Sequence, residues 1–297
     1  MSAPFADRLA ALVEERRSQV CLGLDPEPAG LDPGLLDDPP LSPAAAAGQA
    51  IARRCEELIA RAGPACVAAK PQLACFERLG SPGWAALEEV VAAARAAGLL
   101  VVADGKRGDV PASAEAYAQG LFGATPTPWG DAPGLEADAA TINPLLGADA
   151  IEPLISAAED GRAGVFVIVR SSNPGAADVL DLPAPEAPLH ERLAGMVAER
   201  AARLAGPESG LSGLGAVVGA TEPRHLARLR ALMPDSIFLV PGVGAQGGRA
   251  GDLAPALGDH PASILVTASR TIAGAADPGA AAEALRSELW ELRREPR

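Results

Sequence analysis

The stretch Leu99-Leu100-Val101-Val102-Ala103-Asp104-Gly105-Lys106-Arg107-Gly108-Asp109-Val110-Pro111 sets three side chains capable of chemistry, Asp104, Lys106 and Asp109, directly behind a short apolar run. An ammonium held beside carboxylates can stabilise charge that appears during a reaction and can hand over a proton. The apolar run is too short for a free-standing helix and has the pattern of a buried parallel strand whose carboxyl end opens into a site. Side chains alternate along a strand, so Asp104 and Lys106, two apart, share a face if the pleat continues through Lys106. Asp109, beyond Gly108, leaves the strand and can reach another part of the surface or a neighbouring chain. The competing reading is an ordinary exposed ion pair at a strand end, and such pairs contribute little. The elements around the stretch decide between the two.

Strand-like runs alternate with helical ones along the chain. An amphipathic helix over 5–17, with Leu9, Leu12 and Val13 on one side, leads into a first strand, Val20-Cys21-Leu22-Gly23-Leu24-Asp25, closed by an acid. Residues 26–43 contain six prolines and are expected to form a long structured loop. A helix over 44–62 carries Ile51, Cys55, Leu58 and Ile59 on one stripe, and a second strand over 66–71 ends in Lys70-Pro71. Ser81-Pro82 has the form of a helix start and Gly98 that of its end, which makes the opening stretch the third strand. A short helix through Tyr117 precedes residues 120–137, rich in Gly, Pro and Thr and expected to be a surface excursion. Further strands are expected at 139–144, 164–170, 215–219, 236–240 and 262–267, with helices at 148–158 and 188–204, from 221, and from the Asp277-Pro278 cap onward.

Eight strands, each followed by helical material, is the count of a closed (β/α)8 TIM barrel, and the whole chain, 1–297, is expected to form one such α/β domain with loop insertions near 26–43 and 120–137. An open doubly wound sheet in two domains is the alternative. In the barrel the carboxyl ends of all strands share one rim, where active sites are built. That rim then gathers Asp25, Lys70, Asp104, Lys106, Ser172, the loop Pro241-Gly242-Val243-Gly244-Ala245-Gln246-Gly247-Gly248 and the pair Ser269-Arg270. Charges collected there call for a use, because buried charges are expensive unless paired or employed. The loop after the seventh strand, four glycines in eight residues, lets backbone amides approach an anion, and Arg270 after the eighth adds a forked donor, so a phosphate seat is expected there.

Composition narrows the field. With 297 residues, 48% of them hydrophobic, the chain has material for a large core. A net charge of −13 works against nucleic-acid binding, which rests on neutralising phosphates. No stretch has the apolar length of a membrane span and the start has no signal-peptide form, so a cytoplasmic location away from membranes is expected. Cys21, Cys55, Cys66 and Cys75 form no C-x-x-C pair and are expected to be buried reduced thiols. His190, His225 and His260 stand far apart and suggest neither a zinc site nor a nucleophilic triad.

These residues together carry a resemblance. The D-x-K-x-x-D of Asp104, Lys106 and Asp109, the Gly23-Leu24-Asp25-Pro26 strand end, Lys70, Ser172-Asn173-Pro174-Gly175-Ala176, the glycine loop and Ser269-Arg270 resemble, in order from about residue 20 to 272, the orotidine 5'-phosphate decarboxylases. The form Asp104-Gly105-Lys106-Arg107-Gly108-Asp109 is similar to the longer bacterial branch, type 2. The resemblance implies a homodimeric barrel with a shared active site that converts orotidine 5'-phosphate to uridine 5'-phosphate, the last step of pyrimidine synthesis, without metal or organic cofactor. It implies that Lys106, Asp104, Lys70 and Asp109 form a catalytic Lys-Asp-Lys-Asp array. Asp109 and Ser113 would come from the partner subunit and touch the ribose, Asp25 and Lys70 would hold its other hydroxyl, Ser172 would meet the pyrimidine edge, and Gln246 and Arg270, in the company of Pro241 and Ser269, would grip the phosphate. Ser113 stands where many relatives carry threonine and keeps the hydroxyl.

Two other functions are weighed. Metal-dependent sugar-phosphate decarboxylases and aldolases of the same superfamily share D-x-K-x-x-D but place an acid where this chain has Lys70, and a lysine disfavours a divalent cation. A non-catalytic phosphate-binding barrel could use the same loops, but has no need of the charge array.

Overall fold

In the computed structural model, which describes residues 3–292 apart from 37, 39–41, 184, 186 and 245, the apolar runs become parallel strands closed into an eight-stranded barrel. In chain order the strands are β1 (Val20–Leu24), β2 (Ala68–Pro71), β3 (Leu100–Arg107), β4 (Ala124–Thr127), β5 (Gly130–Pro133), β6 (Ala139–Ile142), β7 (Gly164–Arg170), β8 (Ser212–Val218), β9 (Ser236–Val240) and β10 (Ile264–Ala268). All but β4 and β5 belong to the barrel, each beside its predecessor, and β10 closes on β1 through the pairs Val20–Val266 to Leu22–Ala268. The open doubly wound alternative is excluded by that closure.

The strand period of two sorts the strand residues into an outward and an inward set. Val20, Leu22 and Leu24 of β1, Val101 and Ala103 of β3, and Val165, Val167 and Val169 of β7 face the helices and join the larger apolar cluster, with Ile51, Cys55, Leu58 and Ile59 of the helix Pro43–Ala62. Cys21, Ala68, Leu100, Val102, Phe166, Ile237, Leu239 and Leu265 point inward and form a second cluster. The amino-terminal helix Phe5–Arg16 adds Phe5, Leu9 and Val13 to this inner cluster and so stoppers one end of the barrel, with Phe5 edge-on to Phe166 at 5.9 Å between centroids. Each such side chain removed from water contributes about 1.5–3 kcal/mol.

Several local expectations change. The helix Ser81–Ala96 takes Gly80, at φ +66°, as its cap, and Ser81 is already in its first turn. The short helix expected to end at Tyr117 runs over Pro111–Phe122, and 120–137 contains the antiparallel hairpin β4–β5, with Trp129 at its tip almost wholly exposed. Residues 26–36 of the proline-rich segment form two single-turn 3-10 helices, Pro28–Gly30 and Pro33–Leu35, while Asp37 and 39–41 lie outside the described residues. Asp277 caps the helix Pro278–Glu291 as expected, accepting hydrogen bonds from the amides of Gly279 and Ala280. Cys21, Cys55 and Cys66 are buried free thiols and Cys75 is half-buried; burial pushes the Cys21 and Cys55 thiols up to about 12, which keeps them protonated. No described helix is long and apolar enough to cross a membrane.

Candidate active site

Continuing the inward columns of β2, β3, β6, β7 and β10 towards their carboxyl ends turns apolar residues into polar ones. After Leu100 and Val102 of β3 comes Asp104; after Ala68 of β2, Lys70; after Ala139 of β6, Thr141; after Phe166 and Ile168 of β7, Arg170; after Leu265 of β10, Thr267 and Ser269. These residues, with Asp25, Lys106, Ser172, Pro241, Gln246 and Arg270, line one cavity of about 790 Å³, within the size range of small-molecule sites.

At its base the charges alternate. Asp25 Oδ1 lies 3.9 Å from Lys70 Nζ, Lys70 Nζ donates to Asp104 Oδ2 at 2.5 Å, and Lys106 Nζ donates to Asp104 Oδ1 at 2.5 Å. Asp104 also accepts from Thr141 Oγ1 at 2.8 Å and Gln72 Nε2 at 3.2 Å, so its oxygens are satisfied although it is buried. Burial alone would raise the Asp104 pKa, but the ammonium groups of Lys70 and Lys106 and their hydrogen bonds hold it well below the usual carboxylate range. Burial alone would lower the Lys70 pKa, but Asp104 and Asp25 outweigh it and the net direction is upward. Both groups are therefore ionised at neutral pH.

The two lysines differ. Lys70 extends from a regular strand and its side chain is 6% exposed, whereas the Lys106 side chain is 42% exposed. Lys106 also has φ +47°, in the left-handed region that a side chain with a Cβ seldom occupies. The pairing of β3 with β6 shifts register between Ala103 and Arg107, so the regular pleat does not continue through Lys106. A hydrogen bond from Lys106 N to Thr141 Oγ1 at 3.0 Å holds the irregular backbone in place. The pleat predicted a shared face for Asp104 and Lys106; a bulge delivers the contact instead. Backbone strain held by its surroundings is a feature of functional positions.

The loop after β9 is a tight turn, with φ +102° at Gly242, +78° at Gly244 and +94° at Gly247. The amides of Gly244, Gly247 and Gly248 donate to carbonyls of Gly248, Gly244 and Gly242. Those amides are therefore occupied, contrary to the expectation that glycine amides face an anion; the glycines shape the turn and bring Gln246 to the cavity. Arg270 opens the short helix Arg270–Ala273 directly after β10, and among the described residues it forms no ion pair. Ala245 lies outside the described residues.

Asp109 and Ser113 are not among the residues lining the cavity. Asp109 is half-buried and its Oδ1 accepts from the Val110 amide at 2.7 Å; Ser113 lies in the first turn of the helix Pro111–Phe122. Within one chain the alternating array is thus Asp25–Lys70–Asp104–Lys106, without Asp109. Thr141, Gln72 and Arg170 were not anticipated as members of the site. For all three, counting by two from the apolar residues of their strands is a usable signal, Gln72 following Ala68 and Lys70 just beyond β2.

A closed parallel barrel whose carboxyl rim joins a buried acid–base array to a glycine-shaped loop and, after the next strand, an arginine defines a (β/α)8-barrel protein of the enzyme type. The model of the "Orotidine 5'-phosphate decarboxylase / HUMPS family" matches residues 18–285, and the chain belongs to that family. It is similar to the orotidine 5'-phosphate decarboxylase of Rhodopirellula baltica, 39% identical over 90% of this chain and 87% of the relative. It is also similar to that of Deinococcus radiodurans, 39% identical over 97% of this chain and 98% of the relative. Among solved structures, Leishmania donovani OMP decarboxylase superposes with a TM-score of 0.76 at 35% identity, covering 98% of this chain and all of that one.

Proposed function

We propose that this chain decarboxylates orotidine 5'-phosphate to uridine 5'-phosphate, the closing step of UMP synthesis, as a homodimer with shared active sites. The observation that carries the reading is the run Asp25–Lys70–Asp104–Lys106 lining the same cavity as Gln246 and Arg270. The array suits charge that appears on a ring, and Gln246 with Arg270 suits a phosphate.

In this reaction the bond from ring carbon 6 to the carboxylate carbon breaks, carbon dioxide leaves, and the electron pair stays in an in-plane orbital that the ring delocalises poorly. Stabilisation must then come from fixed charge beside that carbon. The Lys106 ammonium supplies it, and its exposure, beyond the contact with Asp104, leaves it free to pass a proton to carbon 6 and recover one from solvent. Lys70 stays as the buried counterion that keeps Asp104 ionised facing the departing carboxylate. Asp25 and Lys70 hold a ribose hydroxyl, Ser172 meets the pyrimidine edge, and the partner subunit's Asp109 and the partner subunit's Ser113 complete the ribose contacts. Arg270, with Gln246 and flanked by Pro241 and Ser269, binds the phosphate, whose binding energy helps to close the site round the ring.

No step uses a metal, and an ammonium at position 70 repels the divalent cation that a sugar-phosphate decarboxylase or aldolase would need there. The test is turnover of orotidine 5'-phosphate with and without a chelator, alongside sedimentation to establish the dimer. Undiminished turnover in chelator is expected. Turnover that depends on added divalent cation, or retained turnover in Lys106→Ala, would defeat the reading.

A further inference from the structure

Arg170 ends β7 on the inward column, yet it takes no part in the acid–base array. It is 4% exposed, and its Nε and Nη2 donate to the two carboxylate oxygens of Asp181 at 2.8 and 3.1 Å. Its Nη1 donates to the carbonyl of Ser171 at 2.7 Å. Asp181 follows directly on the short helix Ala176–Leu180, so the forked pair closes residues 171–180 into a ring. The Arg170 hydrogen bond, ahead of all other influences, holds the Asp181 carboxyl below its ordinary pKa, and His190 Nδ1 approaches the same carboxylate at 3.3 Å. A two-point pair of this kind fixes orientation as well as distance, which a lysine does not reproduce.

Ser172 is carried by that ring and lines the cavity. Thr221 Oγ1 donates to its carbonyl at 3.2 Å, and a Cβ at Gly219 would come within 2.7 Å of its Cα, so the end of β8 packs directly on its backbone. Arg170, Thr221 and Gly219 thus hold the backbone of Ser171 and Ser172 from three sides, and of these three Arg170 is the one that ties it to the far end of the segment.

We infer that Arg170, with Asp181, is the positioning residue for recognition of the base: it sets the turn so that Ser172 meets the pyrimidine edge. The inference rests on the decarboxylase reading and deepens it, separating selection of the ring from the chemistry at carbon 6. Arg170 acts through Ser172 and touches no reacting atom.

The test measures binding of uridine 5'-phosphate and of ribose 5-phosphate, which lacks the base, together with kcat and KM. It uses Arg170→Met, Arg170→Lys, Asp181→Asn, Ser172→Ala and the double variant Arg170→Met/Ser172→Ala. Arg170→Met is expected to weaken uridine 5'-phosphate and raise KM by about tenfold, while ribose 5-phosphate changes by less than about twofold. In the Ser172→Ala background the same change should add less than about twofold, as coupled residues do. Arg170→Lys should restore only part of the affinity, because it keeps the charge and loses the fork. Should Arg170→Met fail to fold, Asp181→Asn, which keeps the shape and removes the charge, is expected to show the same selectivity for the base-bearing ligand. Equal weakening of both ligands, or full additivity with Ser172→Ala, overturns the inference while leaving wild-type turnover and the decarboxylase reading intact. A wild-type protein that binds ribose 5-phosphate without turning over orotidine 5'-phosphate removes the reading and the inference together.

Discussion

The two ends of the barrel interior are built from the same columns of inward side chains, yet they obey opposite rules. At the floor, Phe5 meets Phe166, and Leu9, Val13, Val102 and Leu265 close around them with almost no exposed surface. At the mouth, one or two steps further along the same strands, stand Asp104, Lys70, Thr141 and Arg170, also buried but charged or hydroxylated. Apolar burial is favourable at the floor without any particular geometry, whereas at the mouth each polar group needs a named partner. Asp104 illustrates the need, with Lys70, Lys106, Thr141 and Gln72 around a single carboxylate. The floor therefore holds the fold, and the mouth uses that rigidity to keep an expensive set of charges in fixed positions.

Substitutions at the two ends therefore have separable effects. Lys106→Ala is expected to lower kcat by about 10³-fold or more, about 4 kcal/mol in the barrier, with only a modest fall in the denaturation midpoint, because Lys70, Thr141 and Gln72 still contact the buried Asp104. Steady-state kinetics and thermal melts on the same preparation check both halves. The reverse pattern is expected of Phe166→Ala at the floor: a loss of about 3–4 kcal/mol of stability in urea titrations, with kcat of the folded protein close to wild type. A large fall in kcat for Phe166→Ala under folding conditions would show that the two ends are coupled. Arg270→Ala, at the outer edge of the mouth, is expected to raise KM about 100-fold with a smaller effect on kcat, since it loses phosphate binding and none of the array.

The same contrast accounts for what could be seen in the amino-acid sequence. Apolar runs with period two announced both the barrel and its floor, because hydrophobic patterning is a local signal that tertiary structure only has to obey. Asp25, Lys70, Asp104 and Arg270 were visible because a charge that ends a buried apolar run is costly to keep unless it lines a site. Thr141 and Arg170 obey the same count, but a hydroxyl in an alanine-rich strand and an arginine before a turn are too ordinary to stand out. The left-handed backbone at Lys106 had no local signature at all; it follows from the register shift between β3 and β6, which is a property of two strands together. Likewise the glycines of 242–248 pointed to a turn and an anion, and only the hydrogen bonds inside the loop show that three of their amides are occupied by the turn. For Asp109 and Ser113 the limit is of another kind, since residues proposed to act in a second subunit have no partner within their own chain.

The subtlest expected difference between the ends is their response to pH. Asp104 has its pKa depressed in the folded protein, because Lys70 and Lys106 outweigh the effect of burial. Its contribution to stability is therefore complete above the unfolded carboxylate value of about 3.9 and is lost as the pH falls through the lower folded value. Lys70 has its pKa raised, since Asp104 and Asp25 outweigh its burial. Its contribution is complete below the unfolded value of about 10.4 and is lost as the pH rises through the higher folded value. Between about pH 5 and 9 neither group changes charge on folding, so the stability that the mouth supplies should be flat there. Urea titrations of wild type and Asp104→Asn across pH 3 to 9 measure this directly. The difference between the two proteins should be widest between about pH 5 and 7; it shrinks below about pH 4, as wild type loses what the variant never had, and narrows again towards about pH 9, where Lys70, still buried but without Asp104, gives up its proton more readily in the variant. A difference that already shrinks as the pH falls from about 7 to 5 would mean that the carboxylate is not held ionised by its two ammonium neighbours, and the distinction between a solvent-free floor and a charge-paired mouth would have to be redrawn.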